Sequence, residues 1–354
     1  MNPESSSYKN AGVDIDAQDK AIDRIKAHVK ATRTPGVLGD VGRFGGLFRP
    51  GWSTRQDPIL VSSADGVGTK LKIAIRMDDY TTIGQDLVNH CVDDILVQGA
   101  LPLYFLDYIS LGKMDPRVVE GIVSGMAKAC RESGCALLGG EMAEMPGLYK
   151  KGDFDVAGFI VGMVDGPDIL PRETLRPGDV VLGLPSTGLH TNGYSLAIKV
   201  LLEEGQLPLD HPLEGMDVPL GDALLAVHQS YLPVLKPFLA DPDLKGLAHI
   251  TGGGLVDNLP RILPPGTAAR IRAGTWPVPK IFPHILQRGG VSVEEAFRIF
   301  NLGIGIVLVV DAGRADAVAS TIEENGSSVY RIGEIVAGDG IIHLEDTDAS
   351  LFSL

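Results

Sequence analysis

Short apolar runs alternate with longer amphipathic segments along the whole chain, and this alternation limits the fold more than any other feature of the sequence. In the first half, apolar runs at 59–63, 103–109 and 135–138 have the length and composition of strands. The segments between these strands, at about 82–98 and 116–132, have apolar residues at helical spacing. A chain that alternates strands and helices in this way folds as an α/β or α+β protein.

The second half continues the alternation and is separated from the first by a proline-rich stretch. Pro167, Pro171 and Pro177 lie close together there and mark a candidate domain boundary. Because 354 residues are enough for two cores, we predict domains at 1–170 and 171–354. The remaining predicted elements are helices at 14–31, 193–204, 220–239, 253–262 and 313–325, and strands at 155–164, 180–184, 303–310, 328–335 and 341–344.

Composition argues against several classes of protein. A net charge of −14 disfavours a non-specific nucleic-acid surface, although local lysines or Mg²⁺ could still bind phosphate. The three cysteines, Cys91, Cys130 and Cys135, form no C-x-x-C pair, so we expect neither a disulfide framework nor a zinc site. A polar N-terminus and the lack of a run of about 18 apolar residues predict no signal peptide and no membrane helix, which fits a cytoplasmic protein.

The first strand leads into a cluster of groups that suits a metal–polyphosphate ligand. Asp65 can hold a divalent cation, and Gly66 and Gly68 let backbone N–H groups approach an anion closely. Thr69 and Lys70 add a hydroxyl and a positive charge. Mg-ATP is the simplest ligand of this kind, although the spacing is not that of a P-loop.

Acidic residues share one face of the helix that follows this motif. At about 100° per residue, Asp86, His90, Asp93 and Asp94 fall within one arc, and apolar side chains fill the other side. Such a face is either a solvated acidic surface or a place where a shared cation offsets the repulsion between carboxylates. We favour Asp94 as a metal ligand that acts together with Asp65.

Two loops of the second half have the composition of anion-binding turns. The loop around His190 joins a strand to a helix, so it could bind an anion while His190 serves as a general acid or base. The alternative for His190 is a structural or exposed histidine. Thr251 precedes three glycines at a helix start, which is either a phosphate cradle or a capped flexible turn.

A third candidate lies in the first half, where Gly139, Gly140 and Glu141 follow a buried strand. An acid just past a strand end is either a ligand contact or an exposed residue of a plain turn. Other chemistries have no sequence support, because the chain lacks the dinucleotide-binding G-x-G-x-x-G, the G-x-S-x-G elbow and the H-E-x-x-H zinc motif.

In their order and spacing these motifs resemble the aminoimidazole ribonucleotide synthetase (phosphoribosylformylglycinamidine cyclo-ligase) family. The resemblance covers nearly the whole chain, and it is the combination of segments that makes it specific. The matching segments are 7–16, 33–37, 65–70, 97–100, 105–108, 139–147, 190–196, 249–254 and 300–305.

The resemblance implies a two-domain fold, in which N-terminal domains pair through their sheets in a homodimer and a C-terminal α/β domain binds substrate. It implies ATP and Mg²⁺ as cofactors, with Asp65 and Asp94 as metal ligands. The residues it assigns to the nucleotide are Lys26, Asp65, Gly66, Val67, Gly68, Thr69, Lys70 and Glu141. Those it assigns to the substrate are His190, Asn192, Thr251, Gly252 and Gly253. The candidate catalytic residues are His190, Lys70 and Asp94.

The implied reaction closes an imidazole ring in purine biosynthesis. ATP drives the conversion of formylglycinamidine ribonucleotide to 5-aminoimidazole ribonucleotide, and ADP and phosphate are released. The expected partners are this small molecule and a second copy of the chain, with no nucleic acid and no membrane. Two positions depart from the family pattern: Asp93 stands where asparagine is usual, and Met142 where threonine is usual.

Three other readings stay open at the level of sequence. A related ATP-using enzyme, such as selenophosphate synthetase or thiamine-monophosphate kinase, would share the fold; the first relies on an early cysteine, and none precedes Cys91. A phosphatase could use Asp65 and Asp94 as a metal-binding pair. A catalytically silent nucleotide-binding protein would keep the motifs without turnover.

Overall fold

A computed structural model of the protein describes residues 14–38 and 46–352. Each half of the chain contains one β-sheet with accompanying helices, so the predicted mixed α/β class is confirmed. The boundary placed between residues 170 and 171 stays a prediction. The two compact units into which the chain divides are Met1–Ile95 with Leu101–Met163, and Leu96–Ala100 with Val164–Leu354.

The first unit is built on a four-stranded sheet. Its described elements are the strands β1 (Pro58–Gly66), β2 (Leu101–Leu111), β3 (Ala136–Glu144) and β4 (Phe154–Asp165), and the helices α1 (Ile15–Lys30), α2 (Leu71–Met77), α3 (Thr81–Leu96) and α4 (Pro116–Ser133). The strand order is β1–β4–β2–β3. β2 pairs parallel to β3 and antiparallel to β4, so the sheet is mixed.

Local signals explain where the helix α4 begins and ends. The Asp115 carboxylate accepts a hydrogen bond from the Arg117 N–H, and Pro116 lies in the first turn, where its missing N–H costs nothing. Gly134 ends the helix in a left-handed conformation that glycine adopts readily. With both ends fixed, α4 lays its buried apolar face on α1 and on strands β2 and β3.

The second unit is built on a six-stranded sheet. Its described strands are β5 (Val180–Pro185), β6 (Leu244–His249), β7 (Thr267–Arg272), β8 (Ile304–Val310), β9 (Tyr330–Ala337) and β10 (Ile342–Glu345). Its described helices are α5 (Tyr194–Ala197), α6 (Leu220–Leu225), α7 (Leu232–Leu235), α8 (Gly254–Asn258), α9 (Ile281–Gly289), α10 (Val293–Ile299) and α11 (Ala315–Glu324).

The strand order in this sheet is β10–β7–β9–β5–β8–β6. β10 pairs parallel to β7, whereas the other neighbours pair antiparallel. Every residue of β8 and of β6 is buried, which explains why these strands are continuous apolar runs rather than alternating ones. The core of the unit therefore lies around β5, β8 and β6.

The predicted helix at 220–239 is wrong in its middle. α6 ends at Leu225, Ala226 is extended with a ψ of 127°, and α7 begins only at Leu232. Pro233 explains the second start, because proline suits the first turn of a helix and disfavours helical conformation before it. The break leaves the segment between α6 and α7 free to carry side chains into the site described below.

Other departures concern lengths and short elements. The helix predicted at 193–204 is confirmed, but its second half, Ile198–Glu203, is a π-helical turn. Five elements of at most nine residues were not predicted from the pattern of apolar residues. They are β6, β7, α2, α9 and α10. Among the described residues, no helix is both long and apolar enough to cross a membrane.

Candidate functional site

The turn after β1 presents the predicted nucleotide-binding groups. Asp65 and Gly66 belong to the last part of the strand itself, which runs longer than its apolar core suggests. The Gly66 N–H donates to its neighbour Asp65 Oδ1 at 2.7 Å, and 42% of the Asp65 side chain is exposed. Gly68 has a φ of +66°, and a Cβ placed there would meet only open space. The backbone after Asp65 is thus open to a ligand, while Val67 is wholly buried beneath it.

Helix α3 holds this turn through three polar contacts. Asp86 Oδ2 lies 2.8 Å from Lys70 Nζ, His90 Nε2 lies 2.6 Å from Asp65 Oδ2, and Asp94 Oδ2 accepts a hydrogen bond from Ser63 Oγ at 2.9 Å. We call Asp86, His90 and Asp94 the α3 polar face. They are spaced four residues apart and therefore lie one above another on the helix.

The α3 polar face is not a solvated acidic surface, so that interpretation of the helix is wrong. Asp86 and Asp93 are wholly buried, and His90 is 4% exposed. Burial of Asp86 is tolerated because Lys70 lies beside it, and His90 lies beside Asp65, so groups of the chain itself reduce the repulsion that a metal ion was expected to offset. The sequence pattern gave no sign that Lys70 would be one of these partners.

The contacts shift the pKa values of the groups that make them. Burial opposes protonation of His90, but its hydrogen bond to Asp65 and the charges of Asp94, Asp65 and Asp86 raise the pKa of His90 above its usual value. Burial acts to raise the pKa of Asp65, yet His90 more than offsets this and leaves the pKa of Asp65 lowered. Burial lowers the pKa of Lys70, and Asp86 opposes the change.

Asp65 and Asp94 have the chemistry of a Mg²⁺ site. Their carboxylate oxygens lie 2.6 and 3.9 Å from the same nitrogen, His90 Nε2, so the structure brings the two predicted ligands together. Both keep a solvent-exposed part, 42% for Asp65 and 27% for Asp94. Oxygen donors of this kind, with room for water and phosphate oxygens, are what Mg²⁺ prefers.

Lys26 and Glu141 are both exposed. Lys26 Nζ forms an ion pair with Asp23 at 2.7 Å on the outer face of α1. Glu141 lies inside β3 rather than past its end, because that strand continues to Glu144, so the predicted end of the strand at residue 138 is wrong. The nucleotide contacts assigned to Lys26 and Glu141 stay predictions.

Glu144 is an acid at a strand end that the sequence analysis did not single out. Its two carboxylate oxygens accept hydrogen bonds from the backbone N–H groups of Asp14 at 2.6 Å and Met114 at 2.7 Å. Glu144 therefore ties the start of α1 and the segment after β2 to the end of β3. Of the family-like segment 7–16, residues before Asp14 lie outside the described part of the chain.

In the second unit, His190 is buried and tightly held. It is 1% exposed, has a φ of +60°, and its Nε2 accepts hydrogen bonds from the N–H groups of Thr187 at 3.2 Å and Gln229 at 3.5 Å. Nε2 therefore acts as a hydrogen-bond acceptor and holds the ring against the backbone on both sides. Gly305 makes room for the ring, since a Cβ there would lie 2.6 Å from His190 Cε1.

His228 links the two predicted substrate loops. Its ring lies against that of His190 with centroids 4.0 Å apart, and its Nε2 lies 3.1 Å from His249 Nε2. His249 is the last residue of β6 and leads directly into Thr251 and the glycines. The loops also meet at Gly252, where a Cβ would lie 3.1 Å from Asn192 Oδ1. The structure thus brings together the substrate residues assigned within this unit.

Two buried asparagines shape these loops. Asn258 Nδ2 donates to the carbonyl oxygens of Gly252 at 3.1 Å and Gly254 at 2.8 Å. Asn301 Oδ1 accepts from Ser186 Oγ and Nδ2 donates to Gly188 O, at 2.8 and 2.9 Å. His228 and Asn301 could not be found from local sequence, because their partners lie 21 and 115 residues away. Asn258 bonds to residues only four to seven positions away, yet it belongs to no motif that marks it.

Comparison with known families and proteins agrees with this arrangement. Residues 48–164 match the family model "AIR synthase related protein, N-terminal domain", and residues 176–344 match "AIR synthase related protein, C-terminal domain". The phosphoribosylformylglycinamidine cyclo-ligase of Geobacillus kaustophilus (strain HTA426) is 48% identical over 95% of this chain and 97% of its own length. The protein of the same name from Bordetella petrii is 51% identical over 94% of each chain. This chain belongs to the phosphoribosylformylglycinamidine cyclo-ligase family.

Solved structures of more distant relatives confirm the fold of this cyclo-ligase family member. Thiamine-monophosphate kinase from Stenotrophomonas maltophilia K279a has a TM-score of 0.66 at 20% identity, covering 93% of this chain and 96% of its own. Hydrogenase maturation protein HypE in complex with ATP has a TM-score of 0.62 at 20% identity, covering 92% and 91%. The AIR synthase-like fold inferred from the sequence is confirmed.

Proposed function

We propose that this protein is a phosphoribosylformylglycinamidine cyclo-ligase. It converts formylglycinamidine ribonucleotide to 5-aminoimidazole ribonucleotide in purine biosynthesis and consumes ATP. The observation that carries this conclusion is the identity of about half of all residues with proteins of that name over nearly the full length of both chains.

The first unit binds ATP in this proposal. Val67, Gly68 and Thr69 would offer backbone N–H groups and a hydroxyl to the phosphates, because the turn after β1 is open to solvent at Gly68. Gly66 would allow close approach of the ligand, since its own N–H already donates to Asp65 Oδ1. Lys26 and Glu141 would contact the nucleotide from α1 and β3. We do not include Lys70 among the residues that bind phosphate, because its ammonium group is buried against Asp86.

Asp65 and Asp94 would hold the Mg²⁺ that accompanies ATP. A bound Mg²⁺ would neutralise the polyphosphate charge and favour transfer of the γ-phosphoryl group. His90 holds the Asp65 carboxylate and lies near that of Asp94, so the two ligands are pre-oriented before the cation binds.

The chemistry follows from the poor leaving ability of an amide-like oxygen. The formyl oxygen of the substrate attacks the γ-phosphorus, the bond to ADP breaks, and the formamide nitrogen releases its proton to solvent, so that an iminophosphate forms. The nitrogen that carries the ribosyl group then attacks the activated carbon, inorganic phosphate leaves with the former formyl oxygen, and loss of a proton completes the aromatic ring.

The second unit supplies the substrate-binding groups. Asn192 and Thr251 would offer an amide and a hydroxyl to the ribonucleotide. Gly252 and Gly253 would let the substrate phosphate approach the backbone where α8 begins. We infer that His190 acts on the substrate mainly by holding the shape of its loop, because its side chain is 1% exposed and its Nε2 accepts two backbone hydrogen bonds.

A homodimer is part of the proposal and has support in the surface of the first unit. An apolar depression of about 440 Å³ lies on one face of the sheet and its flanking segment. Trp52 and Leu60 are each more than half exposed there. Exposed apolar surface of this kind is typical of an interface, and a second copy of the chain would cover it.

We also propose that the enzyme acts in the cytoplasm, where purine synthesis takes place.

One assay tests the proposed activity. The protein is incubated with Mg-ATP and formylglycinamidine ribonucleotide, and ADP and aminoimidazole ribonucleotide are followed together. We expect the two products to form in equal amounts, and ATP hydrolysis that ignores the ribonucleotide would contradict the proposal. Asp65→Asn should lower Mg-ATP affinity by tenfold or more, whereas Asp57→Asn, an exposed acid near the start of β1, should leave it unchanged.

A further inference from the structure

Lys70 and Asp86 form an ion pair whose side chains are both fully buried. Their Nζ and Oδ2 atoms lie 2.8 Å apart, and neither side chain has any exposed area. Taking two charges out of water is costly, and removal of one partner would leave an uncompensated buried charge. In this family member the pair lies directly beneath the proposed phosphate-binding turn.

The position of Lys70 in the chain allows the ion pair to fix the backbone conformation of that turn. Lys70 is the last residue of the 3₁₀ turn Gly68–Lys70, and α2 starts at the next residue. Asp86 lies in the second turn of α3, a long helix anchored by a buried apolar side. A lysine fixed at this point therefore fixes the backbone that precedes it, which is exposed at Gly68.

The other two contacts of the α3 polar face act on the opposite side of the turn. His90 holds Asp65, and Asp94 holds Ser63, both of which precede Gly66. The Lys70–Asp86 pair holds the chain after Gly68, on the other side of the glycines. The contacts of α3 therefore hold the glycine-containing segment from both of its ends.

We propose that Lys70 is a positioning residue, which acts through Asp86 to hold the backbone of Gly66–Thr69 in its ligand-binding conformation and does not itself contact phosphate. This inference rests on the proposed ATP-binding role of the turn. It assigns to Asp86 a part in nucleotide binding although Asp86 does not touch the nucleotide.

Substitution of the two partners separately and together tests the assignment. The variants are Asp86→Asn, Lys70→Met, and the double variant Lys70→Met/Asp86→Leu, in which apolar side chains of similar size replace both charges. Mg-ATP affinity is measured by calorimetry, and backbone protection of residues 65–72 by hydrogen exchange. Lys72→Met, on the exposed side of α2, is the matched control and should behave as the wild type.

The two roles of Lys70 predict opposite patterns. If Lys70 positions the turn, each single variant weakens Mg-ATP binding by tenfold or more and speeds exchange at 65–72. The double variant then recovers most of the Mg-ATP affinity and most of the exchange protection at 65–72, because no buried charge is left unpaired. If Lys70 binds phosphate, Asp86→Asn frees the ammonium and keeps or tightens affinity, while the double variant stays as weak as Lys70→Met; that pattern would overturn the proposal.

Hydrogen exchange keeps this test separate from the proposed function. A wild-type protein that binds no Mg-ATP would contradict the proposed function, yet the exchange rates of 65–72 would still show whether the pair holds the turn. If the single variants fail to fold, a folded double variant with wild-type affinity supports the positioning role. A folded double variant with lost affinity contradicts it.

Discussion

At the scale of single residues, the role of each charged group depends on its partner more than on its own chemistry. The sequence predicted that Asp65 and Asp94 would lie together, and they do, on either side of His90. It could not predict that Lys70 would be buried, because the motif around Lys70 contains no sign of Asp86, which lies 16 residues further along in α3. Spacing within a helix is encoded locally, whereas pairing between elements is not.

His90 offers the first prediction at this scale. His90→Asn should reduce Mg-ATP affinity by about tenfold, because Asp65 loses the hydrogen bond that holds it and repels Asp94 more strongly. The free energy of unfolding should fall by roughly 1–3 kcal/mol, as for a lost hydrogen bond to a charged group. Calorimetry and urea unfolding measure the two effects. His211→Asn, at a site where 70% of the side chain is exposed, is the control, and equal effects of the two substitutions would argue against the role of His90.

Asp107 gives a second prediction, this time about pH. It lies on β2 between Gly140 of β3 and Gly158 of β4, and a Cβ at Gly140 would lie 2.2 Å from its Oδ1. Burial raises the pKa of Asp107 to about 7. The folded state therefore binds a proton that the unfolded state releases near pH 4, so stability should fall as pH rises between these values, by up to about 1.4 kcal/mol per pH unit.

Urea unfolding at pH 5 and pH 8 checks this sign. Asp107→Asn should flatten the pH dependence and make the protein more stable than the wild type at pH 8. Asp19→Asn, an exposed acid on α1, should leave the profile unchanged. A variant at Asp107 that keeps the wild-type slope would show that another group causes it.

At the scale of elements, the sequence predicted the long helices and the buried strands well and the shaped loops poorly. α4 could be predicted because Asp115, Pro116 and Gly134 mark its ends within its own sequence. The loops that carry His190 and Thr251 could be predicted as loops but not in their conformation. Their shape comes from Asn301 and Asn258, and Asn301 is distant in sequence from the loop it holds.

Asn301 therefore supplies the prediction for this scale. Asn301→Ala removes hydrogen bonds to Ser186, Gly188 and Gly303, which fix the start of the His190 loop. KM for formylglycinamidine ribonucleotide should rise by tenfold or more, while Mg-ATP affinity stays within twofold of the wild type. Steady-state kinetics and calorimetry separate the two. Asn325→Ala, at the end of α11, is the control, and a loss of ATP affinity in Asn301→Ala would contradict a loop-specific role.

At the scale of the whole molecule, the fold class and the family could be predicted because many short motifs agree in order. The surface of the first sheet could not, because an apolar residue in a strand has the same pattern whether it faces the core or a partner. Leu60 is 52% exposed, and alternation within β1 does not distinguish it from a core residue.

The proposed homodimer makes the prediction for this scale. Leu60→Glu should convert a dimer to a monomer in light-scattering measurements and leave the circular dichroism spectrum unchanged, because the added charge cannot be buried against a second copy. Leu148→Glu is the matched control, since Leu148 is 73% exposed but does not line the apolar depression. A wild-type protein that is monomeric at micromolar concentration would refute the dimer.

The three contacts of the α3 polar face have a consequence for how this enzyme can change over evolution. Because Asp86, His90 and Asp94 recur every four residues along one helix, all three contacts with the chain around the turn depend on this spacing. One residue inserted after His90 would leave Asp86 and His90 in place but rotate Asp94 by about 100°, away from Ser63. A substitution changes one of the three contacts and leaves the other two in place. An insertion or deletion between Asp86 and Asp94 displaces at least one of these residues from its partner, so the length of this segment should be fixed even where its residues vary.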